Sequence, residues 1–277
     1  MELTQEHIDT FRSGSRTYFN SSLFFPDEIR REVFVLYAFV RTADDFVDDT
    51  PPDPKGFFAF RKEYEDALQR GGSANVIVDT FVRLSSELGF KREWAEAFFH
   101  SMALDLTKRV YATLDETLEY IYGSAEVIGL YMATILRLDR STHPAARMLG
   151  RAMQYINFIR DIDEDNGLGR TYLPISEASV PDLFESTARA HPQEFVRFIT
   201  AQLGRYDDWQ RQGEEGFRAI PYRMRIPIQT ASRMYSWTGC QIRRDPFIVY
   251  RRKVKPAKTR IVAAALSSAL TPWRIHG

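Results

Sequence analysis

With one cysteine in 277 residues, Cys240, the chain has no internal disulfide framework and fits a reducing compartment, so a cytoplasmic location is expected. It also lacks net charge. Its 37 Lys and Arg balance 37 Asp and Glu, which leaves no bulk field to gather nucleic acid, and no nucleic-acid partner is expected. No apolar run reaches the length of a bilayer span; the best, Ile261 to Leu270, is short and holds two serines. The opening MELTQEHIDTFRSGSR has no apolar stretch of the kind that marks a secretory signal. No GxGxxG fingerprint for a nicotinamide occurs. No segment shows the β-branched, period-two alternation of a sheet.

What is present is helical patterning. Hydrophobic content of 44% suffices for a sizeable core. Apolar residues recur at helical spacing over 55–70, 75–88, 91–112, 115–138, 142–165, 181–190, 192–219 and 222–243, with Gly71-Gly72-Ser73 and Gly89 as breaks. There are no repeats, low-complexity tracts or clear linkers, so the reading is one all-α domain over 1–277. Segment 192–219 is polar enough to be an outer layer. Asp105 and Arg109, spaced i,i+4 in 91–112, read most simply as a surface salt bridge.

Two acidic stretches stand out. In Val33 to Asp49, Val33, Leu36, Val40, Ala43 and Val47 form a core stripe, while Tyr37, Arg41, Asp44 and Asp48 stack on a neighbouring one. Four Asp crowd into 44–49 before Thr50-Pro51-Pro52 stops the helix. Acids at a helix C-terminus cost about 0.3–1 kcal/mol each, so stability alone does not select them. A second helical stretch places Gln154, Asn157, Asp161 and Asp165 on one stripe and again ends in acids, at Asn166-Gly167. Two such endings suggest a shared cation. Oxygen-only ligands suit Mg²⁺, with Mn²⁺ as substitute. A calcium loop starting at Asp161 fails at its sixth and twelfth positions, Asn166 and Tyr172.

These motifs, DxxxD at Asp44–Asp48 and DxxED at Asp161–Asp165, each preceded by an arginine, resemble those of the squalene/phytoene synthase family. Ser15-Arg16-Thr17-Tyr18-Phe19, Tyr120-Ile121-Tyr122-Gly123 and Gly169-Arg170-Thr171-Tyr172-Leu173-Pro174 agree, and the match covers roughly residues 10–260. The resemblance implies an isoprenoid-synthase-type helical bundle around a central cavity. It implies a prenyltransferase that condenses two prenyl diphosphates head to head through a cyclopropyl intermediate. By the same match Asp44, Asp48, Asn157, Asp161 and Asp165 hold metal, and the four Asp with Tyr235 are catalytic. Ser15, Arg16, Thr17, Tyr37, Arg41, Tyr120, Gln154, Arg160 and Arg170 contact substrate, Tyr120 along the cavity and Arg170 by closing over diphosphate. The position matched by Ser22 lies along the isoprenoid tail. Its small side chain implies geranylgeranyl diphosphate as substrate and phytoene as product, with squalene, dehydrosqualene or the cyclopropyl diphosphate from farnesyl diphosphate as the alternative. NADPH is expected only on the squalene route. The different-class alternative is a non-catalytic helical lipid-binding or assembly subunit, which intact acidic motifs disfavour. Eight Lys and Arg in 243–260 against one acid, Asp245, suggest peripheral contact with anionic lipid headgroups.

Overall fold

The computed structural model describes residues 4, 5, 7, 8, 10 and 25–270. Ser15, Arg16, Thr17 and Ser22 lie outside the described residues. Helix α1, Asp27–Asp48, begins after Pro26, with Asp27 and Glu28 in its favourable first turn. Its stripe of Leu36, Phe39, Ala43 and Val47 is buried. Phe39 stacks on Phe81 with ring centroids 3.7 Å apart and touches the edge of Phe99, which ties α1 to its neighbours.

Those neighbours are α2, Pro54–Arg70, α3, Val76–Leu88, and α4, Arg92–Thr107. Local chemistry sets their ends. The Asp53 carboxylate accepts from the Gly56 N–H, and Asn75 accepts from Ile77 and Val78. Gly71 and Gly89 take the left-handed conformation that stops α2 and α3. Because α4 ends at Thr107, Arg109 is off the helix and the expected Asp105–Arg109 pair does not form. Asp105 is instead 3% exposed.

The segment expected as one helix over 115–138 is broken. Helix α5, Leu114–Ile121, starts with a Thr113/Glu116 capping box and passes through a π-turn, Tyr122–Glu126, into α6, Val127–Ile135. Glu126 in that turn is fully buried. Its two carboxylate oxygens accept from Arg147 and Arg151 at 2.7 and 2.6 Å. Those arginines belong to α7, His143–Arg160. Reciprocal glycines let α6 and the π-turn lie against α7. A Cβ on Gly129 would come within 2.3 Å of the Ala146 carbonyl, and one on Gly150 within 2.4 Å of the Ala125 carbonyl.

The second acidic stretch also differs from its expected form. Helix α7 stops at Arg160, Asp161 caps it, and a new short helix, α8, runs Ile162–Gly167. Asp163, Glu164 and Asp165 thus sit in a favourable first turn, and the C-terminal penalty argued from sequence applies to α1 alone. After α9, Glu185–Ala190, helix α10, Pro192–Glu214, buries Phe195, Phe198, Ile199, Leu203 and Tyr206. It packs along α7, so only its other face is the expected outer layer. Helices α11, Tyr222–Arg244, α12, Ile248–Arg251, and α13, Lys258–Leu270, complete the bundle. The described residues contain no strand, only one isolated bridge between Val110 and Thr171. The architecture is all-α, as expected.

Candidate active site

A cavity of 410 Å³ lies between α1, α6, α7 and α11. Val33, Leu36, Tyr37 and Val40 reach it from α1, and Gly150, Met153, Gln154 and Asn157 from α7. Ala231 and Tyr235 close it from α11. The helices that carry the two acidic motifs therefore wall the same hollow. Its polar lining groups include Tyr37, Gln154, Asn157 and Tyr235, and all four had been singled out in the sequence. Most other lining residues are apolar, from Ile128 and Met132 to Phe217 and Ile220. The hollow follows α7 from Asn157 back to Thr142. Fifteen residues at about 1.5 Å each make a length of about 22 Å.

One turn beyond Val40 and Asn157 come the carboxylates. Arg41 bridges to Asp44 at 2.9 Å and to Asp45 at 2.5 Å. Burial, then repulsion from Asp48, pushes the Asp44 carboxyl up to about 7 against the pull of Arg41. In the second cluster Arg160 donates through Nε to Asp161 at 2.8 Å, and its Nη2 donates to the other oxygen of the same carboxylate. Asp165 is pushed up to about 8 by burial, then by Asp161 and Glu164, with Arg170 and Lys253 opposing. Crowded acids of this kind call for positive charge. The Asn157 Oδ1 adds to that demand, because it is buried with no hydrogen-bond partner. Oxygen donors, raised carboxyls and an orphaned amide oxygen fit a divalent cation of the Mg²⁺ type, which completes its shell with water and phosphate oxygens. Among the described residues no three acid, His or Cys side chains converge into a ready-made cage.

Arg170 joins the two clusters. It is 7% exposed, so it is not an exposed arm over the site. Its Nη1 donates to Asp48 at 3.0 Å and its Nη2 to the Val47 carbonyl at 3.2 Å, while its own N–H binds the Asp165 carbonyl at 2.8 Å. Burial opposes its charge, but Tyr172, Asp105 and Asp48 more than offset that and hold it protonated. Tyr120 is likewise away from the cavity lining. Its hydroxyl donates to Asp105 at 2.6 Å, and the Tyr172 hydroxyl donates to the other Asp105 oxygen at the same distance. Burial raises Asp105 to about 6, with both tyrosine hydroxyls pulling it down. Tyr120 therefore supports Arg170 from beneath rather than touching the cavity.

Sequence reasoning read Asp105 as half of a surface salt bridge and Lys253 as one of a basic run, and missed their place at the site. Phe98, Met102 and Asp105 share one helical stripe, and an acid on an apolar stripe was the available signal. Lys253 had no such mark within its basic run. Folding brings it to 3.5 Å from Asp161 and into a contact with Glu164.

A model of the family described as squalene/phytoene synthase matches residues 11–260. A phytoene synthase of Rhodobacter capsulatus is 29% identical, over 98% of this chain and 81% of that protein. A 15-cis-phytoene synthase of Pantoea ananas is 27% identical, over 97% and 93%. Among solved structures, squalene synthase HpnC from Alicyclobacillus acidocaldarius superposes with a TM-score of 0.78 at 22% identity, over 87% of this chain and 93% of that one. A dehydrosqualene synthase superposes with a TM-score of 0.76 at 18% identity, over 95% of each chain. At those identities the structural likeness speaks for the fold.

Proposed function

The chain belongs to the squalene/phytoene synthase family, and from that premise we propose that it condenses two geranylgeranyl diphosphates head to head into phytoene. It is a prenyltransferase. The observation that supports the substrate is the cavity itself: one apolar hollow with both acidic motifs beyond one end and about 22 Å of wall along α7. An extended carbon chain with bonds of about 1.52 Å at angles near 111° advances about 1.25 Å per bond. The main chain of a C20 tail then spans about 19 Å, that of a C15 tail about 14 Å and that of a C25 tail about 24 Å. Of the three, the C20 main chain comes nearest to that length without exceeding it.

In this reading Asp44, Asp48, Asn157, Asp161 and Asp165 hold divalent cations, Mg²⁺ first among them. Bound there, the metal supplies charge that lets the diphosphate leave. The side chains do the rest. Arg41 and Arg160, beside those carboxylates, would bind phosphate oxygens, and Arg170 keeps Asp48 and Asp165 in register. Tyr37 and Tyr235 present phenol rings at the polar end, where a cation–π contact steadies the allylic cation. The apolar wall keeps water from quenching it. The first condensation breaks one C–O bond, expels one diphosphate and closes a cyclopropane with loss of a proton. The second expulsion and loss of another proton give phytoene without a reductant. NADPH would enter only on a route to squalene.

Ser15, Arg16 and Thr17 are part of the proposed diphosphate contacts, and residues 1–277 are proposed to act as one domain. The product has no polar group, so it leaves most easily into lipid. Arg252 and Lys255 are exposed, and so are Val262 and Leu266 on α13, at 58% and 59%. That combination supports peripheral docking on an anionic membrane surface near the 243–260 segment, from a cytoplasmic location. No helix among the described residues is long and apolar enough to cross a membrane.

The deciding experiment incubates the protein and Mg²⁺ with farnesyl and geranylgeranyl diphosphates and weighs the products. A C40 hydrocarbon is expected. C30 hydrocarbon alone would overturn the C20 assignment, and no condensation product from either would overturn the reaction.

A further inference from the structure

At its far end the cavity shares lining residues with a second hollow. Thr142 and Gly216 line the main hollow on one side. On the other side both line a second hollow of 300 Å³ that lies among the exposed residues Ser141, Gln212, Glu215 and Arg218. Residue types make the wall thin. A Cβ on Gly216 would stand 2.8 Å from the Ala145 Cβ, so the backbone of the turn after α10 rests directly on the first turn of α7. Thr142 is held in the gap by its hydroxyl, which donates to the Asp139 carbonyl at 2.7 Å.

Resting on the reading of the cavity as a prenyl-tail site, we propose that Thr142, Ala145 and Gly216 form the stop that fixes the longest tail the enzyme accepts. The surface hollow behind them is the space a longer tail enters once that wall is thinned. The lengths agree. From Asn157 to Thr142 the cavity runs about 22 Å, which holds a C20 main chain of about 19 Å and stops a C25 main chain of about 24 Å at the wall. At Gly216 the Ala145 methyl is what a built Cβ would meet, so small groups make up the wall there.

The test offers equal C15, C20 and C25 prenyl diphosphates with Mg²⁺ to the unmodified protein and to Thr142→Gly and Thr142→Leu, and compares product masses. One methylene in an apolar pocket changes selectivity about 10- to 200-fold. Thr142→Gly is expected to raise the share of products containing a C25 unit at least tenfold. Thr142→Leu is expected to move the C20 to C15 ratio toward C15 by a similar factor. Melting curves establish that both variants fold. If Thr142→Gly does not, Ala145→Gly thins the same wall without touching the Asp139 hydrogen bond. Folded variants with unchanged length ratios overturn the proposal. An unmodified enzyme that makes only C30 product overturns the C20 assignment, while the ratio shifts still judge the wall. No hydrocarbon from any protein overturns both.

Discussion

Replacing Glu126 by Ala removes the carboxylate that ties the π-turn to α7. Its side chain is 0% exposed and its partner Arg151 only 17%, with Arg147 at 40%. Loss of one member of a buried ion pair typically costs about 3–5 kcal/mol, since the remaining charge stays desolvated. At roughly 2 °C per kcal/mol for a chain of this size, the melting temperature falls by about 6–10 °C. Two contacts soften the loss without cancelling it: Arg151 lies 5.2 Å from the Trp209 ring and Arg147 5.2 Å from that of Tyr122. The comparison is Glu96→Ala, which removes an i,i+4 pair with Arg92 whose side chains are 53% and 67% exposed. That change costs about 0.3–0.5 kcal/mol, or about 1 °C. Calorimetry of both variants separates the cases. Turnover should also fall in Glu126→Ala, because α7 carries Gln154 and Asn157 and ends directly before Asp161. Replacing Glu126, Arg147 and Arg151 together by Leu, Met and Met should recover most of the lost stability, since no charge is then stranded. A Glu126→Ala protein that melts within 2 °C of the unmodified one would refute the reasoning.

Asp44→Asn should abolish turnover yet leave the metal-free protein at least as stable at pH 8, because it removes a crowded anion from a helix C-terminus; an inactive unfolded variant, seen by circular dichroism, would contradict this. Asp105, Asp44 and Asp165, raised to about 6, 7 and 8, bind more protons folded than unfolded. Their contribution is complete below about pH 4 and is lost as pH climbs through 6 to 8, so the metal-free melting temperature should fall between pH 5.5 and 8.5. Asp44→Asn/Asp165→Asn should flatten that fall, measured by calorimetry across the range. Excess EDTA should suppress condensation and Mg²⁺ or Mn²⁺ restore it; undiminished product in chelator would rule out the metal assignment.

The helices were legible because apolar spacing, Gly71 and Gly89 are local signals that tertiary packing did not override. The acidic motifs were legible for the same reason, together with Tyr37, Gln154, Asn157 and Tyr235 on the stripes beside them. Three features were hidden, one by the lack of a local signal and two by distance along the chain. The break at Asp161 follows from a change of direction that no stop residue announces. The burial of Arg170 depends on Asp48, far earlier in sequence, and on Asp105 and Tyr172 beneath it. Tyr120 matched the family's pattern by position, but its hydroxyl is committed to Asp105, which a linear motif does not reveal.

The arginines at the mouth carry a consequence for how the site fills. Arg41 occupies Asp44, Arg160 occupies Asp161, and Arg170 occupies Asp48. A cation arriving by itself would have to prise those carboxylates from their guanidinium groups and would bring no new anion in return, leaving Arg41 to its second pair with Asp45. A diphosphate arriving by itself offers them one, but abandons the carboxylates to their mutual repulsion. Only when both come together does every charge exchange one partner for another. If metal and diphosphate bind there as proposed, the mouth would act as a coincidence detector: occupancy by each would strengthen the other, and ionisation would be confined to the moment when a substrate is already seated.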